Sequence, residues 1–443
     1  MTRFRWLAAP CWIASLLCAP ACRGDQGTAP SGDRTRSSEA GSMLYLERID
    51  GGQTSRLGLD LRAGGVVAEL SLNGENMVNA FDVGRQVQLS LYDGDEPGGD
   101  LCAGCSGSWP WNPVQGGDRH GHGSAVLMWG RTDSTLWVLS RPNHWFPDNR
   151  GGGPAAPVVS DMMYQVSVSV PRAERGAFLV RYRATHLGRD THGAAWQEVP
   201  AVYVNGDLDT FTYYEGTSPW TEGAVTRGAV RDIGDAAWAV TPYSIPERWA
   251  AFVNDRGVGV TVYVPGAYPY ALATRIRDPQ SIRGSAGWNT QYLQPKAYFG
   301  VAPLEVLDAS VYLFAGTPDE ARRSVYRLNR EGGVRDISEP YVVLDPPGAQ
   351  PVSGVVTISG AAMDNVAVRA VDVLVDDAPA GRARTGLPAP AFASEFPDAA
   401  GSAGFEYSLD TRNYPDGDRK VSVRVTDAAG LLTVRTIRLR VDN

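Results

Sequence analysis

The sequence predicts an all-β fold, and three observations carry that expectation. Its 443 residues include 50 Gly and 30 Pro, a supply of chain breakers that favours turns and short strands over long helices. Short apolar runs with a period of two recur from about Met43, as in MLYLERI, RLGLDL, GGVVAELSLNG and QVQLSLYDG, and that alternation half-buries a strand. Only Pro318 to Leu328 reads as a helix of any length, with Thr317 placed to cap it and Asp319 and Glu320 suited to its first turn. At roughly 100–200 residues per domain the length allows two or three domains.

Residues 1–21 read as an export signal. Arg3 and Arg5 precede the mostly apolar run Trp6 to Cys18, and the small residues Ala19 and Ala21 stand before Cys22. The ending Ala19-Pro20-Ala21-Cys22 resembles a bacterial lipobox, in which Cys22 would be lipidated, with Pro20 a departure from the usual pattern. A plain signal-peptidase cut after Ala21 is the competing reading. The apolar run is shorter than the ~20 residues that a bilayer span needs, so membrane attachment is expected only through the lipid. Loss of the leader removes Arg3 and Arg5 and moves the formal charge from -8 to -10. With no Lys/Arg cluster to meet phosphates, a nucleic-acid partner is not expected.

Residues 22–42 are rich in Gly, Ser, Pro and charge and are expected to be a flexible tether. Residues 43–336 carry enough alternating segments for a closed pair of large sheets, a supersandwich-like antiparallel β-sandwich. Asn329 to Ser338 is a polar connector. Residues 337–443 repeat the pattern on a smaller scale, with Pro, Asp and Gly turns spaced for an immunoglobulin-like sandwich. Tyr414-Pro415-Asp416-Gly417 and Asp427-Ala428-Ala429-Gly430 resemble the bacterial Ig-like modules of secreted glycan-handling proteins. No aromatic stripe or ligand cluster is visible there, which suits a spacer or docking module.

The stretch Gly64-Gly65-Val66-Val67-Ala68-Glu69-Leu70, with Asn73, Gly74, Asn76 and Asn79, leads into Asp82-Val83-Gly84-Arg85-Gln86-Val87-Gln88. It resembles the opening of galactose-mutarotase-like sandwich domains. The resemblance implies that an Asn and an Arg near this position help bind a sugar, which singles out Arg85. That fold serves epimerases, glycoside hydrolases and polysaccharide lyases, so it does not choose a reaction. The late catalytic Glu of the epimerases finds no match in this chain.

Chemistry is concentrated in two places. All five His lie between His120 and His192, and nine of the twelve Trp lie between Trp109 and Trp249. The loop Ser108 to Ser124, SWPWNPVQGGDRHGHGS, offers Trp109 and Trp111 as stacking surfaces and Asn112 and Gln115 as paired donors and acceptors for hydroxyls. It also offers Asp118 and His120 for proton transfer, Asp118 being equally suited to capping a turn. The second stretch, Thr185 to Tyr203, holds His186, Trp196, Glu198 and Tyr203, with Glu198 at a strand start where an apolar wall would raise its pKa. Glu215 follows.

Hydrolysis would pair Asp118 with Glu198 or Glu215. A lyase would use His120 or His186 with Tyr203, and Arg85 or Arg119 to neutralise a uronate. No cofactor is expected. Of five Cys, Cys102 and Cys105 remain in the body, placed for a disulfide; with His120 and His122 they also make a minor candidate set for a structural zinc. The partner expected is a polysaccharide or oligosaccharide, and the protein is expected to be an exported hydrolase or lyase. The alternative is a surface glycan-binding lipoprotein without proton chemistry. An enzyme requires that two of Asp118, His120, His186, Glu198 and Glu215 share a cleft with Trp109 or Trp111.

Overall fold

The computed structural model describes residues 34–95, 110–171, 174, 176–230, 241–276, 289–332 and 336–443. The expected leader, Cys22, Cys102, Cys105 and Trp109 lie outside the described residues. Among the described residues no helix is long and apolar enough to cross a membrane.

Among the described residues the protein is all-β apart from one α-helix and short 3-10 turns. Thirteen strands form the first sheet. Its main path runs Arg34–Ala40, Met43–Asp50, Gln53–Asp60, Val66–Leu72, Val87–Ser90, His192–Asn205, Thr290–Pro295, Tyr270–Ile276 and Tyr243–Ser244. Nine strands form the second, with Val306–Gly316 and Ala177–His186 at its centre. The two sheets face each other across one apolar core. Leu46, Leu57, Val67, Leu89, Val202 and Leu293 come from the first and Val138, Val166, Val180, Val262 and Val311 from the second, and all are buried. Each such side chain contributes about 1.5–3 kcal/mol on leaving water.

The period-two pattern produces this directly. In Met43–Asp50, Leu44, Leu46 and Arg48 are buried while the side chains between them are only partly so, because successive side chains of a strand point to opposite faces. The sequence-based helix is present as Pro318–Glu331, and Thr317 Oγ1 accepts the Glu320 N–H. The helix is fastened to the second sheet by Arg322, whose Nε and Nη2 each donate to Glu247 at 2.9 Å. The expected tether is corrected over its last part. Arg34–Ala40 is a strand paired residue by residue with Met43–Asp50. Gly41, at φ +61°, turns the chain back, and Arg36 reaches Glu47 across the pair. A polar sequence can hold an edge position because the ladder uses backbone groups and leaves the side chains to solvent.

The C-terminal unit is a second, smaller sandwich of two four-stranded sheets. One runs Tyr341–Leu344, Val355–Met363, Gly404–Asp410, Arg384–Leu387, and the other Ala378–Arg382, Val368–Val375, Gly417–Asp427, Leu432–Val441. Its own core contains Ile358, Val373, Phe405, Val423 and Leu439.

The Gly64-Gly65 turn packs the first sheet onto the second. Gly65 has φ +74°, and a Cβ there would stand 2.5 Å from Val138 Cγ1. Left-handed backbone and overpacking both penalise a side chain here. We expect Gly65→Ala to lose about 2–4 kcal/mol in chemical denaturation, whereas Gly74→Ala, with nothing within 4 Å of its Cβ, should lose less.

Candidate functional site

Two clusters of ionisable side chains flank one strand pair, Val87–Ser90 with its continuation to Asp93 against His192–Asn205. Ser90 is opposite Glu198 in the register. Further along, Asp93 accepts both the Gly193 N–H at 2.7 Å and a bond to His192 Nδ1 at 2.9 Å.

The first cluster lies on the face of the large sheet turned away from the core. Val199, Val202 and Val204 point inward, while Ala201, Tyr203, Leu272 and Tyr292 form a separate patch on the other face. A register shift between Glu198 and Ala201 inserts the extra residue that changes the alternation, so Glu198 faces the same way as Tyr203. Tyr292 donates its hydroxyl to Glu198 Oε1, and Tyr92 and Ser90 reach the same carboxylate. The rings of Tyr203 and Tyr292 are 4.8 Å apart.

Burial raises the Glu198 pKa, and the hydrogen bonds from Tyr292, Tyr92 and Ser90 and the charge of Lys296 do not cancel it. The three tyrosines are pushed well above their ordinary value, by burial first and also by the Glu198 charge. Burial brings Lys296 down to about 8, against the pull of Glu395 and Glu198. Its Nζ stands 5.2 Å from the centre of the Trp196 ring. This face therefore holds a carboxyl group of raised basicity, phenols that keep their protons, and a cation.

The second cluster brings donor atoms of Asp161, His186, Asp190 and His192 within 4.8 Å of one another. His186 Nδ1 donates to the Ala302 carbonyl at 2.8 Å, which leaves Nε2 facing Asp161 at 3.2 Å. His192 is oriented likewise by Asp93, and its Nε2 is buried without a hydrogen-bond partner, 3.8 Å from Asp161 and 3.9 Å from Asp190. Both imidazoles are held through Nδ1 and turn Nε2 toward carboxylates, an arrangement that could hold a metal, and two His with two carboxylates suit a first-row divalent ion. Burial lowers the basicity of His192, but Asp161 and Asp93 outweigh it and raise the pKa. Burial likewise opposes ionisation of Asp161, and His192, Trp111 and His186 outweigh it, holding the carboxyl well below the usual range.

Among the sequence-derived candidates, Glu198 and Tyr203 meet in the first cluster, with Arg85 bonded to Asp82 and facing Tyr203. His186 and Trp111 meet in the second. Trp111 is only 1% exposed, stacked on His192 at 3.7 Å and donating Nε1 to Asp161 at 2.9 Å. It is a wall, not an open sugar platform.

The loop candidates are corrected. Asp118 is fully buried and caps its own turn: Oδ1 accepts the His120 and His122 N–H groups at 3.0 Å, and Oδ2 meets His122 Nδ1 at 2.8 Å. His120 bonds Asp148 instead, so His120 and His122 do not converge as a zinc pair. Asn112 spends its amide on Ser90 and Leu91, and Gln115 spends its own on Leu89 and Gly64. Arg119 is exposed over the Phe146 ring. Trp196 packs among Tyr268, Tyr298, Tyr341 and Phe396. Glu215 sits beside the second sheet with Tyr213 and Thr226. Of the five candidate acids and bases, only His186 lies against Trp111. Sequence reasoning missed Tyr92, Tyr292, Lys296, Asp93, Asp161 and Asp190, although Lys296 sits between Tyr292 and Tyr298 in a visible aromatic run.

Because the Glu198 pKa is raised in the folded chain, the unfolded chain releases that proton first. The neutral carboxyl's contribution is complete below the unfolded value of 4.5 and is lost as pH rises through the folded value. Glu198→Gln should therefore gain stability relative to the wild type as pH rises from 4.5 to 8, read as the difference in Tm. A difference constant across that range would exclude ionisation of Glu198 as the cause.

No protein-family model matches the chain, and no curated protein matches it in sequence. Among solved structures it is similar to a polysaccharide lyase at 11% identity, covering 92% of this chain and 47% of that one, with a TM-score of 0.32. A mutant of the heparan sulfate lyase HepC from Pedobacter heparinus is 10% identical, over 94% of this chain and 44% of that one, with a TM-score of 0.33. A candidate aldose 1-epimerase from Klebsiella pneumoniae is 7% identical, over 70% of this chain and 95% of that one, with a TM-score of 0.34. The chain thus spans about half the length of the two lyases and nearly all of the epimerase. The solved structures similar to this chain include galactose-mutarotase-like epimerases and polysaccharide lyases, at low identity and low structural overlap.

Proposed function

We propose that this is an exported carbohydrate-active protein that cleaves an acidic polysaccharide by β-elimination on the outer face of the large sheet. The observation that carries the proposal is the grouping of Glu198 with Tyr92, Tyr203, Tyr292 and Lys296. In such a reaction Lys296 would neutralise the uronate carboxylate, and Glu198 would take the C5 proton. The C5–H electron pair forms the C4–C5 double bond as the C4–O bond breaks, and a phenol, Tyr292, gives its proton to the departing oxygen. A raised carboxylate pKa and phenols that stay protonated near neutrality suit those two roles. Hydrolysis by paired carboxylates is less well supported, because Asp118 caps a turn and Glu215 lies beside the other sheet, leaving Glu198 without either partner.

The leader and Cys22 support placement in a bacterial cell envelope as a lipoprotein, or secretion after cleavage at Ala21. The C-terminal unit is read as Ig-like. Its first, second, sixth and fifth strands form one sheet and its fourth, third, seventh and eighth the other, the ABED and C′CFG order of that fold. A second reading, a glycan-binding lipoprotein without chemistry, is favoured by one observation: Glu198 is 5% exposed and Tyr292 is fully enclosed, as in a purely structural cluster.

Incubation with a panel of plant, algal and microbial polysaccharides separates these readings. Elimination gives ultraviolet absorbance from an unsaturated uronate, hydrolysis gives new reducing ends without it, and a binder retains glycan with no product. On the elimination reading, Glu198→Gln and Tyr292→Phe should each lower turnover about 10²–10⁴-fold while retaining glycan binding. Unchanged turnover in both variants would remove this cluster from the mechanism.

A further inference from the structure

A third group of ionisable side chains stands at the junction of the two sandwiches, away from both clusters above. Asp336 lies on the connector that leaves the helix, Asp364 lies between the Val355–Met363 and Val368–Val375 strands, and Asp427 ends the Gly417–Asp427 strand. One carboxylate oxygen of each lies within 4.8 Å of the other two. We propose that Asp336, Asp364 and Asp427, with the Asn365 side-chain carbonyl beside them, form a calcium site that clamps the C-terminal sandwich to the large one.

The division of labour within each carboxylate supports this. Asp336 Oδ1 accepts from the Ser338 N–H at 3.0 Å and from Asn365 Nδ2 at 2.8 Å. Asp364 Oδ1 accepts the Val366 and Ala367 N–H groups, both at 2.8 Å. Asp427 Oδ1 accepts the Gly430 and Leu431 N–H groups. In all three, Oδ2 is buried with no hydrogen-bond partner, and so is Asn365 Oδ1. Asp427 is fully buried and Asn365 is 4% exposed. Four orphaned buried oxygens in one place are costly unless something meets them. Oδ1 fixes each turn, which leaves Oδ2 buried and unsatisfied.

The electrostatics agree. Asp364 is raised to about 6 by burial and by the charges of Asp336 and Asp427, and Asp427 is raised by burial and by Asp336. Among the described residues the facing cation is Arg248, which donates Nη2 to the main-chain carbonyl of Asn365 and Nη1 to that of Pro265. That guanidinium offsets one of the three carboxylate charges, and a divalent cation offsets the other two. The donors are all oxygen, with neither His nor Cys, which favours a hard ion over zinc. Calcium tolerates an irregular set of oxygens at 2.3–2.6 Å completed by water, whereas magnesium demands a near-ideal octahedron.

The site would act on the junction because its residues also grip the large domain. Asn365 Nδ2 and Ser338 Oγ both donate to the Gly266 carbonyl, at 3.0 and 3.2 Å. An ion held by Asp336, Asp364 and Asp427 therefore fixes the connector and two loops of the second sandwich against the turn at Gly266.

The test uses the full chain after chelation, titrated with calcium chloride in a calorimeter and in thermal unfolding, and compares Asp364→Asn, whose Oδ1 still accepts the Val366 and Ala367 N–H groups. Wild type should take up calcium at this site with Kd on the order of 10⁻⁵–10⁻³ M and gain Tm with it. Magnesium should bind at least tenfold more weakly. The variant should lose that calcium uptake, match or exceed wild type in Tm in chelator because a like charge is gone, and fall below it in calcium. Wild type that takes up no calcium, a variant that keeps full uptake, or an equal response to magnesium would overturn the assignment. So would a variant less stable than wild type by the same margin with and without calcium, which a merely structural carboxylate would give.

Discussion

The strand His192–Asn205 is the constraint on which the proposed catalytic face depends. It lies near the middle of the large sheet, where Val87–Ser90 flanks one side and Thr290–Pro295 and Ala297–Val301 flank the other. Its backbone is therefore fixed on both edges over most of its length. Along it, His192, Trp196, Glu198 and Tyr203 enter three different environments. With uninterrupted alternation Val199 and Ala201 would share a face, and so would Glu198 and Val202. The shift between Glu198 and Ala201 breaks that pattern, so valines continue to fill the core while the carboxylate stays out of it. A carboxylate in that core would lie among Val199, Val202 and Leu89, where no hydrogen-bond donor could compensate its desolvation.

Glu198 and Glu247 show how burial acquires meaning from its partners. Both are buried. Burial raises the pKa of Glu247 too, but the Arg322 fork, the Tyr326 hydroxyl and the Trp249 N–H outweigh it and hold the group below its ordinary value. This fully compensated carboxylate locks the helix to the second sheet. Glu198 has phenols and a hydroxyl but no guanidinium, and Lys296 acts on it only at a distance, so its pKa stays raised. A carboxylate left in that condition by a well-packed environment is the kind that chemistry uses. The difference is local and arises from a single cation.

Much of the fold was legible in the sequence because its signals are local. The alternation in Met43–Asp50, the cap at Thr317 and the Gly64-Gly65 turn each depend on residues near in the chain. Glu198 was expected at a strand start, but the strand begins at His192 and Glu198 lies within it, because the pairing with Ala297–Val301 extends the ladder back through residues that read as loop. The loop at Asp118 misled because chemical richness is also what a tight turn needs. Asp118, Asn112 and Gln115 have the groups that bind sugars, but the backbone N–H and carbonyl groups of their own neighbourhood claim them first. Trp111 could not be placed because its partners, Asp161 and His192, are 50 or more residues away. Arg34–Ala40 escaped detection because an edge strand needs no apolar face when its neighbour supplies one.

The C-terminal sandwich is more than a spacer. Phe392 and Phe396 enter an aromatic cluster with Tyr268, Tyr270 and Tyr298 of the large domain, and Trp196 packs within 5.0–5.7 Å of Tyr268, Tyr298, Tyr341 and Phe396. Trp196 is two residues from Glu198 on one face of the strand, and Lys296 rests over its ring. Glu395, from the second sandwich, is itself raised by burial against the pull of Lys296. Displacing the second sandwich would remove an acidic neighbour of Lys296 and one wall of the Trp196 pocket together. The lysine pKa is set by burial against those charges, so the charge state at the Glu198 face depends on the docking of a domain that contributes no residue to the Glu198–tyrosine cluster.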